Sequence, residues 1–334
     1  MRYFRIILVV LVFITVLYSC NKNLNVNADW KDITVVYGIL SQNEDTTYIK
    51  ITKAFLGEGD ALMFAKIPDS STYPDKLDVK LEAWSGNNLV NTYTFDTITK
   101  HHKEKGDSIF YYPDQLVYFN HTGHLDENNT YRLKITHKNT GVVDSATTKL
   151  VHSFTVETPD PFIKVVEYIP GHNFEVKFAQ AYGGKRYQLV IRFHYLETTP
   201  NGTVSKSFDW MLFNNLQIVN PYETSPESIF KNFPGDIFYT VVAGNIKDTN
   251  VNVTSRTAHS VDYIFSVASE DLNTYMEVTE PSLSIIQERP SFSNIYNGIG
   301  LFSSRFVNEI DSIAIGHNTL DELKINPLTA KLKF

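Results

Sequence analysis

Leu125-Asp126-Glu127-Asn128-Asn129-Thr130-Tyr131-Arg132-Leu133-Lys134-Ile135 (LDENNTYRLKI, residues 125–135) joins a polar turn to a run in which apolar and charged side chains alternate. A period of two belongs to a strand with one face buried and the other in water. The same pattern recurs at Tyr48-Ile49-Lys50-Ile51-Thr52 and at Leu77-Asp78-Val79-Lys80-Leu81-Glu82-Ala83. Ser85-Gly86-Asn87-Asn88 and Asn139-Thr140-Gly141 lie between such runs and have the composition of turns. Clean alternation is the signature of antiparallel sheets, whose strands need only short connections. The 19 Tyr and 22 Phe suit a pleated, half-buried surface. Short strands at this spacing predict a sandwich or a barrel.

The opening stretch also favours the sandwich. A leucine six residues before a tyrosine that starts an alternating strand resembles the tyrosine corner of immunoglobulin-like and fibronectin type III domains. There the phenol bonds back to nearby backbone and fixes the loop. The expected fold is mainly β, with two immunoglobulin-like or fibronectin III-like antiparallel β-sandwich domains and a few short helices in the second. Glu157-Thr158-Pro159-Asp160-Pro161 reads as a stiff linker, placing the domains at 31–155 and 156–334. Beyond it, strands are expected at Phe174–Phe178, Tyr187–Phe193, Ile237–Ala243 and Ser260–Val267. A helix is expected from Ser225-Pro226-Glu227 to Pro234-Gly235, by N-cap, first-turn proline and stop. Ser269 caps another reaching about Val278, and Thr319-Leu320-Asp321-Glu322 opens a last brief one. Repeats of solenoid or propeller length are absent from the sequence.

The amino terminus has a different character. Arg2 and Arg5 precede an apolar run from Ile6 to Leu17, followed by Tyr18-Ser19-Cys20. A basic start, a short apolar core and a small residue before a cut site make a secretory signal peptide over 1–19. A membrane-spanning helix needs about 20 apolar residues, and this run is shorter. Cys20 is the only cysteine of the 334 residues. Leu17-Tyr18-Ser19-Cys20 resembles the lipobox of bacterial lipoproteins, in which the cysteine is acylated, for instance with palmitate, and becomes the first mature residue. Tyr18 is bulkier than the residue usual there. Residues 20–30 would then be a tether, and the rest would fold without disulfides or thiolate chemistry. The formal charge of −7 becomes −9 once Arg2 and Arg5 are removed, so no basic footprint for nucleic acid exists.

The order lipobox, Val35-Val36-Tyr37-Gly38-Ile39-Leu40, Tyr48-Ile49-Lys50-Ile51 resembles exported lipoproteins of Bacteroidota that carry a domain-of-unknown-function label. Ser266-Val267-Ala268-Ser269-Glu270-Asp271-Leu272-Asn273-Thr274-Tyr275 and the segment Pro290–Phe302 agree with it. The resemblance implies a lipid-anchored outer-membrane protein associated with TonB-dependent-type transporters, with no assigned reaction. In that family acidic residues just after the acylated cysteine favour the cell surface. Asn21-Lys22-Asn23-Leu24-Asn25 has none, which leaves the surface and the periplasmic orientation both open.

Signals for chemistry are sparse. The sequence lacks a Gly-x-Ser-x-Gly elbow, a phosphate loop and a His-Glu-x-x-His pair. Gly298-Ile299-Gly300 lacks a third glycine and reads as a tight turn between packed segments. His121, His124 and Asp126 could gather metal ligands in one loop, although Asn120–Gly123 also reads as an ordinary polar turn. His101-His102 lies in a charged, solvated stretch. Asp248-Thr249-Asn250-Val251-Asn252 matches the first positions of a calcium loop, but Val253 and His259 stand where Gly and Glu belong. Trp84, Tyr111 and Tyr112, with Tyr118-Phe119, could form a flat platform for a sugar or a partner protein, or be covered by a neighbouring loop. No cofactor is implied. Three readings follow: a non-enzymatic binding or accessory lipoprotein serving a transporter, a glycan- or peptide-acting hydrolase on a β-sandwich, and a structural or adhesive envelope component. The hydrolase would need paired carboxylates, and 37 Asp and Glu offer no way to choose two.

Overall fold

A computed structural model describes residues 33–54, 61–101, 114–222, 227–247, 252–280 and 291–334. The signal and lipobox residues, including Leu17, Tyr18, Ser19 and Cys20, lie outside them, as do Tyr111 and Tyr112. The fold is mainly β, built from largely antiparallel sheets packed as a sandwich, with short helices at its margins.

In the first half the strands are β1 (Ile33–Leu40), β2 (Thr47–Ala54), β3 (Asp78–Ser85), β4 (Asn88–Thr94), β5 (Asp96–Lys100), β6 (Gln115–Asn120), β7 (Thr130–Thr136) and β8 (Val143–Lys149). Two brief helices, α1 (Ala61–Ala65) and α2 (Pro68–Ser71), connect β2 to β3. The second half adds β9 (Val156–Thr158), β10 (Val165–Val166), β11 (Asn173–Ala179), β12 (Arg186–Thr199), β13 (Gly202–Gln217) and β14 (Ser228–Pro234). After them come α3 (Asp236–Asn245), β15 (Ser255–Ala268), α4 (Glu270–Thr279), β16 (Gly298–Ile315) and α5 (His317–Ile325).

Among the described residues one long sheet runs in the order β13-β12-β15-β16-β1-β2-β6-β5. Two smaller sheets, β4-β3-β7-β8 and β14-β11-β9, pack against it. The first small sheet closes a core of Val36, Ile49, Leu81, Tyr131 and Leu133, to which the distant Ile295 and Phe302 also belong. Over the second half, β11 with α3 and α5 closes a larger core rich in rings, among them Tyr168, Phe178, Tyr187, Phe193, Phe238 and Tyr263. Phe302 and Phe306 are both buried and lie an even number of residues apart on β16, so both cores sit on one face of the long sheet.

Strand β16 joins the halves. Its first part pairs in parallel with β1, from Thr34↔Gly298 to Leu40↔Ser304, and its second part pairs antiparallel with β15. The sheet is therefore continuous across 155/156. Parallel approach at this seam is close: a Cβ on Gly300 would stand 2.0 Å from the carbonyl oxygen of Val36, and the residue has φ +118°. The glycine pair of Gly298-Ile299-Gly300 serves strand contact here, not the tight turn expected of it.

The tyrosine of the opening stretch does what its spacing suggests. The Tyr131 hydroxyl donates to the Asp126 carbonyl at 2.9 Å, and the ring is fully buried. Two expected elements are exchanged. Ser228–Pro234, expected to be helical, is a strand paired with all of β11. Ile237–Ala243, expected as a strand, lies in α3, because Phe238, Val242 and Ile246 are buried at four-residue spacing, which a helix places on one face. The proline-rich linker stretch is in part strand β9, which pairs with β11.

Candidate functional site

On the face of the long sheet away from the cores, α4 lies across the seam. Leu272 of the helix, Ala268 of β15 and Leu301 of β16 form a small apolar cluster, with Tyr275, Met276 and Phe292 against it. Ser269 has the extended backbone of an N-cap, with Glu270 and Asp271 in the first turn, so the sequence dictates where this helix starts. Asn294 fastens the far strand to it, donating to the Asp271 carboxylate at 2.9 Å and to the Phe302 carbonyl at 2.8 Å.

Beside the helix opens a groove of about 360 Å³. Its helical wall is Leu272, Met276 and Glu280; Ile39 and Arg305 stand at the seam side, and Arg186, Gln188 and Ser266 form part of the sheet floor. These residues come from β1, β12, β15, β16 and α4, so the groove exists only once the seam has formed. Its volume lies at the lower end of small-molecule sites.

Arg186 is the unusual member. It is 5% exposed, and it shares the groove lining with Ala268, Leu272 and Met276. Its Nε donates to the Asn214 carbonyl at 2.9 Å and its Nη2 to Glu280 Oε1 at 2.6 Å. Its remaining terminal nitrogen, Nη1, is shut away from solvent without a hydrogen-bond partner. Leaving a donor of a buried charged group unmatched costs about 1–3 kcal/mol or more, so such atoms are rare in native folds. Glu280 is only half-buried and follows the last residue of α4. Arg305, the second cation of the lining, stands 3.7 Å from Glu44. Next to Ile39 on the same face, the Tyr37 phenol meets the edge of Tyr275, ring centres 6.1 Å apart. Burial, then the Tyr275 hydroxyl, pushes Tyr37 up to about 12.

Farther along the same face of β12 stands a charged stretch. Arg192 grips Asp209 with two bonds, 2.7 and 3.0 Å, and holds its carboxyl below the usual carboxylate range. His194 Nε2 and Asp262 lie 2.6 Å apart, and Asp262 also accepts from the Ser312 amide. At the end of the sandwich Glu197 takes hydrogen bonds from Lys206 and Arg256, which hold its pKa down against burial. Arg256 in turn donates to the Leu332 carbonyl, pinning the carboxy-terminal segment.

The residues singled out from sequence are dispersed. The Nδ1 of His121 pairs with the Thr46 hydroxyl at 2.8 Å, and Asp126 accepts from the Asn128 amide and side chain. His124 is exposed, and among the described residues no three His, Asp or Glu side chains gather as metal ligands. Asp248–Val251 lie outside the described residues, whereas Val253 is buried and His259 falls on β15. His101 Nδ1 meets Asp114 at 2.8 Å, and His102 lies outside. Trp84 is half-buried, its indole donating to Glu82 and its ring faced by the Arg132 guanidinium at 4.5 Å. Tyr118 is buried in the first core, and Phe119 stacks on Tyr48 of the long sheet. Trp84 sits on the opposite layer, so these rings do not make one platform.

Sequence reasoning passed over Arg186. It begins an alternating strand on the polar side of the pattern, where arginines normally face water. The available signal was Ser269-Glu270-Asp271, which starts a helix directly after the neighbouring strand and predicts a cover for that face.

No protein-family model and no curated protein matches the sequence. Among solved structures the chain is similar to the C-terminal globular domain of an oligosaccharyltransferase from Pyrococcus abyssi, with 10% identity, a TM-score of 0.25 and coverage of 71% of this chain. The match spans 47% of that structure, about half its length. It is also similar to CBD12 from CALX1.2, with 10% identity and a TM-score of 0.17, covering 76% of this chain and 90% of that one.

Proposed function

We propose that the protein is a lipid-anchored, non-enzymatic binding lipoprotein of the outer membrane, working as an accessory component of a TonB-dependent-type transport system. The anchor rests on the placement of the single cysteine, Cys20, directly after a short apolar run. The transporter association rests on the family resemblance. The observation that carries the binding role is the groove under α4, where a buried guanidinium keeps a donor unmatched. Its lining offers one carboxylate and no histidine or cysteine, a set suited to holding a ligand and poorly suited to moving protons or attacking bonds.

The anchor is tested by palmitate labelling and by fractionation. Wild-type protein takes up label and stays with the membrane, and Cys20→Ala is released or keeps its signal peptide. Unlabelled, soluble wild type overturns the anchor. Crosslinking in isolated outer membranes tests the partner: a co-captured transporter supports the role, and a chain captured alone removes it.

A further inference from the structure

We infer that the groove under α4 is a binding site for a small monocarboxylate with an apolar body, and that Glu280 occupies the carboxylate position of that site in its resting state. The inference rests on the binding role proposed above and names the ligand class.

The geometry of Arg186 carries it. An arginine prefers to meet a carboxylate with two parallel N–H donors, because the planar fork matches the spacing of the two oxygens. Glu280 reaches only Nη2, at 2.6 Å, and Nη1 is left buried and unmatched. Glu280 is thus a one-pronged occupant of a two-pronged site. It is also the least secured of the groups around the guanidinium. The other partner of Arg186 is the main-chain carbonyl of Asn214, fixed within β13, whereas the Glu280 side chain is 49% exposed and lies beyond the end of α4. When Glu280 swings to solvent it keeps its hydration, and an incoming carboxylate can satisfy both terminal nitrogens.

The rest of the lining defines the body of the ligand. Ile39, Ala268, Leu272 and Met276 are apolar, and an unbranched thioether such as Met276 adapts to irregular shapes. Ile39 is 41% exposed, apolar surface that a ligand chain would cover. The charge balance sets the ligand's valence. With Glu280 displaced, Arg186 is neutralised by one negative charge, while Arg305 already has Glu44 near it. A volume of about 360 Å³ suits a small molecule.

The test is calorimetric titration of the full-length chain, against detergent blanks, with hexanoate, 1-hexanol, hexylammonium and inorganic phosphate. Hexanoate should bind, and hexanol should bind at least about tenfold more weakly, the worth of a charge-assisted hydrogen bond. Glu280→Gln should tighten hexanoate binding several-fold, because the competing internal carboxylate is gone. Arg186→Gln should abolish it; Glu280→Gln and the ligand series decide the matter even where that variant fails to fold. Equal affinity for hexanoate and hexanol overturns the inference, and so does phosphate binding as tightly as hexanoate. Unchanged or weaker binding in Glu280→Gln overturns it as well, as does the absence of hexanoate binding. A labelled, membrane-held protein that ignores hexanoate sinks this inference alone. An unlabelled, soluble protein that binds hexanoate sinks the anchored role alone.

Discussion

Gly300→Ala is the sharpest probe of the seam. Gly300 stands opposite Val36 in the parallel ladder, at φ +118°. A side chain in that backbone region costs about 1–3 kcal/mol by itself. The added carbon would also lie 2.0 Å from the Val36 carbonyl oxygen and 2.9 Å from its carbonyl carbon, and both are backbone atoms that no rotamer can move aside. Relief requires β1 and β16 to separate locally, with the loss of one or two ladder hydrogen bonds at about 0.5–1.5 kcal/mol each. The expected total is about 1.5–6 kcal/mol, a large part of the 5–15 kcal/mol typical of a folded domain. Urea denaturation followed by circular dichroism reads it as a lower midpoint. Gly244→Ala is the control: Gly244 lies in α3 with nothing within 4 Å of its Cβ position. There alanine should stabilise by up to about 1 kcal/mol, because glycine is the poorer helix former. If Gly300→Ala costs less than about 1 kcal/mol, the close β1–β16 pairing is not what holds the seam.

Tyr131→Phe should cost about 1 kcal/mol, the worth of its hydrogen bond to Asp126, measured as a denaturation midpoint; no loss would mean the corner contributes nothing. Phe302→Ala should cost about 3–5 kcal/mol, because the ring is fully buried in the first core; a near-neutral result would separate β16 from that core. Glu197 is held below the usual carboxylate range, first by Lys206 and then by Arg256. Its contribution is therefore present above its unfolded pKa of about 4.3 and is lost as pH falls through the lower folded value. Glu197→Gln should make stability fall less steeply in acid, and an unchanged pH profile would refute that assignment.

The sandwich was legible because alternation is a local signal. Residues 131–135 and 77–83 carry it in their own side chains, and β7 and β3 form there and pair. Where local and distant forces disagree, the sequence misleads. Ile237–Ala243 is rich in branched and aromatic residues that favour strands, yet it packs as a helix because Phe238, Tyr239 and Val242 fill the second core from one side. Ser228–Pro234 shows the reverse: a helix-like entry is overruled by seven paired positions on β11. The groove was hidden for a related reason. Arg186 obeys the strand pattern, and its partners Asn214 and Glu280, on β13 and just past α4, are brought to it only by the fold.

The parallel pairing of β1 with β16 had no local sign, and it shapes both the fold and the site. Parallel neighbours need a long connection, and here the connection runs from Leu40 to Gly298. Loop-closure entropy grows only slowly with length, so such closure is tolerable once a large buried surface rewards it. That surface is supplied by Phe302, which enters the first core, and Phe306, which enters the second. The same strand then sets Arg305 and Ser303 on the opposite face, where Ser303 meets Ser269 at the start of α4, with hydroxyls 2.6 Å apart. One strand thus fixes two cores on one side and a helix on the other, and the groove opens beside that helix with Arg186 in its lining. A site made this way responds to anything that strains the seam, and a ligand seated in it would tie the two halves together.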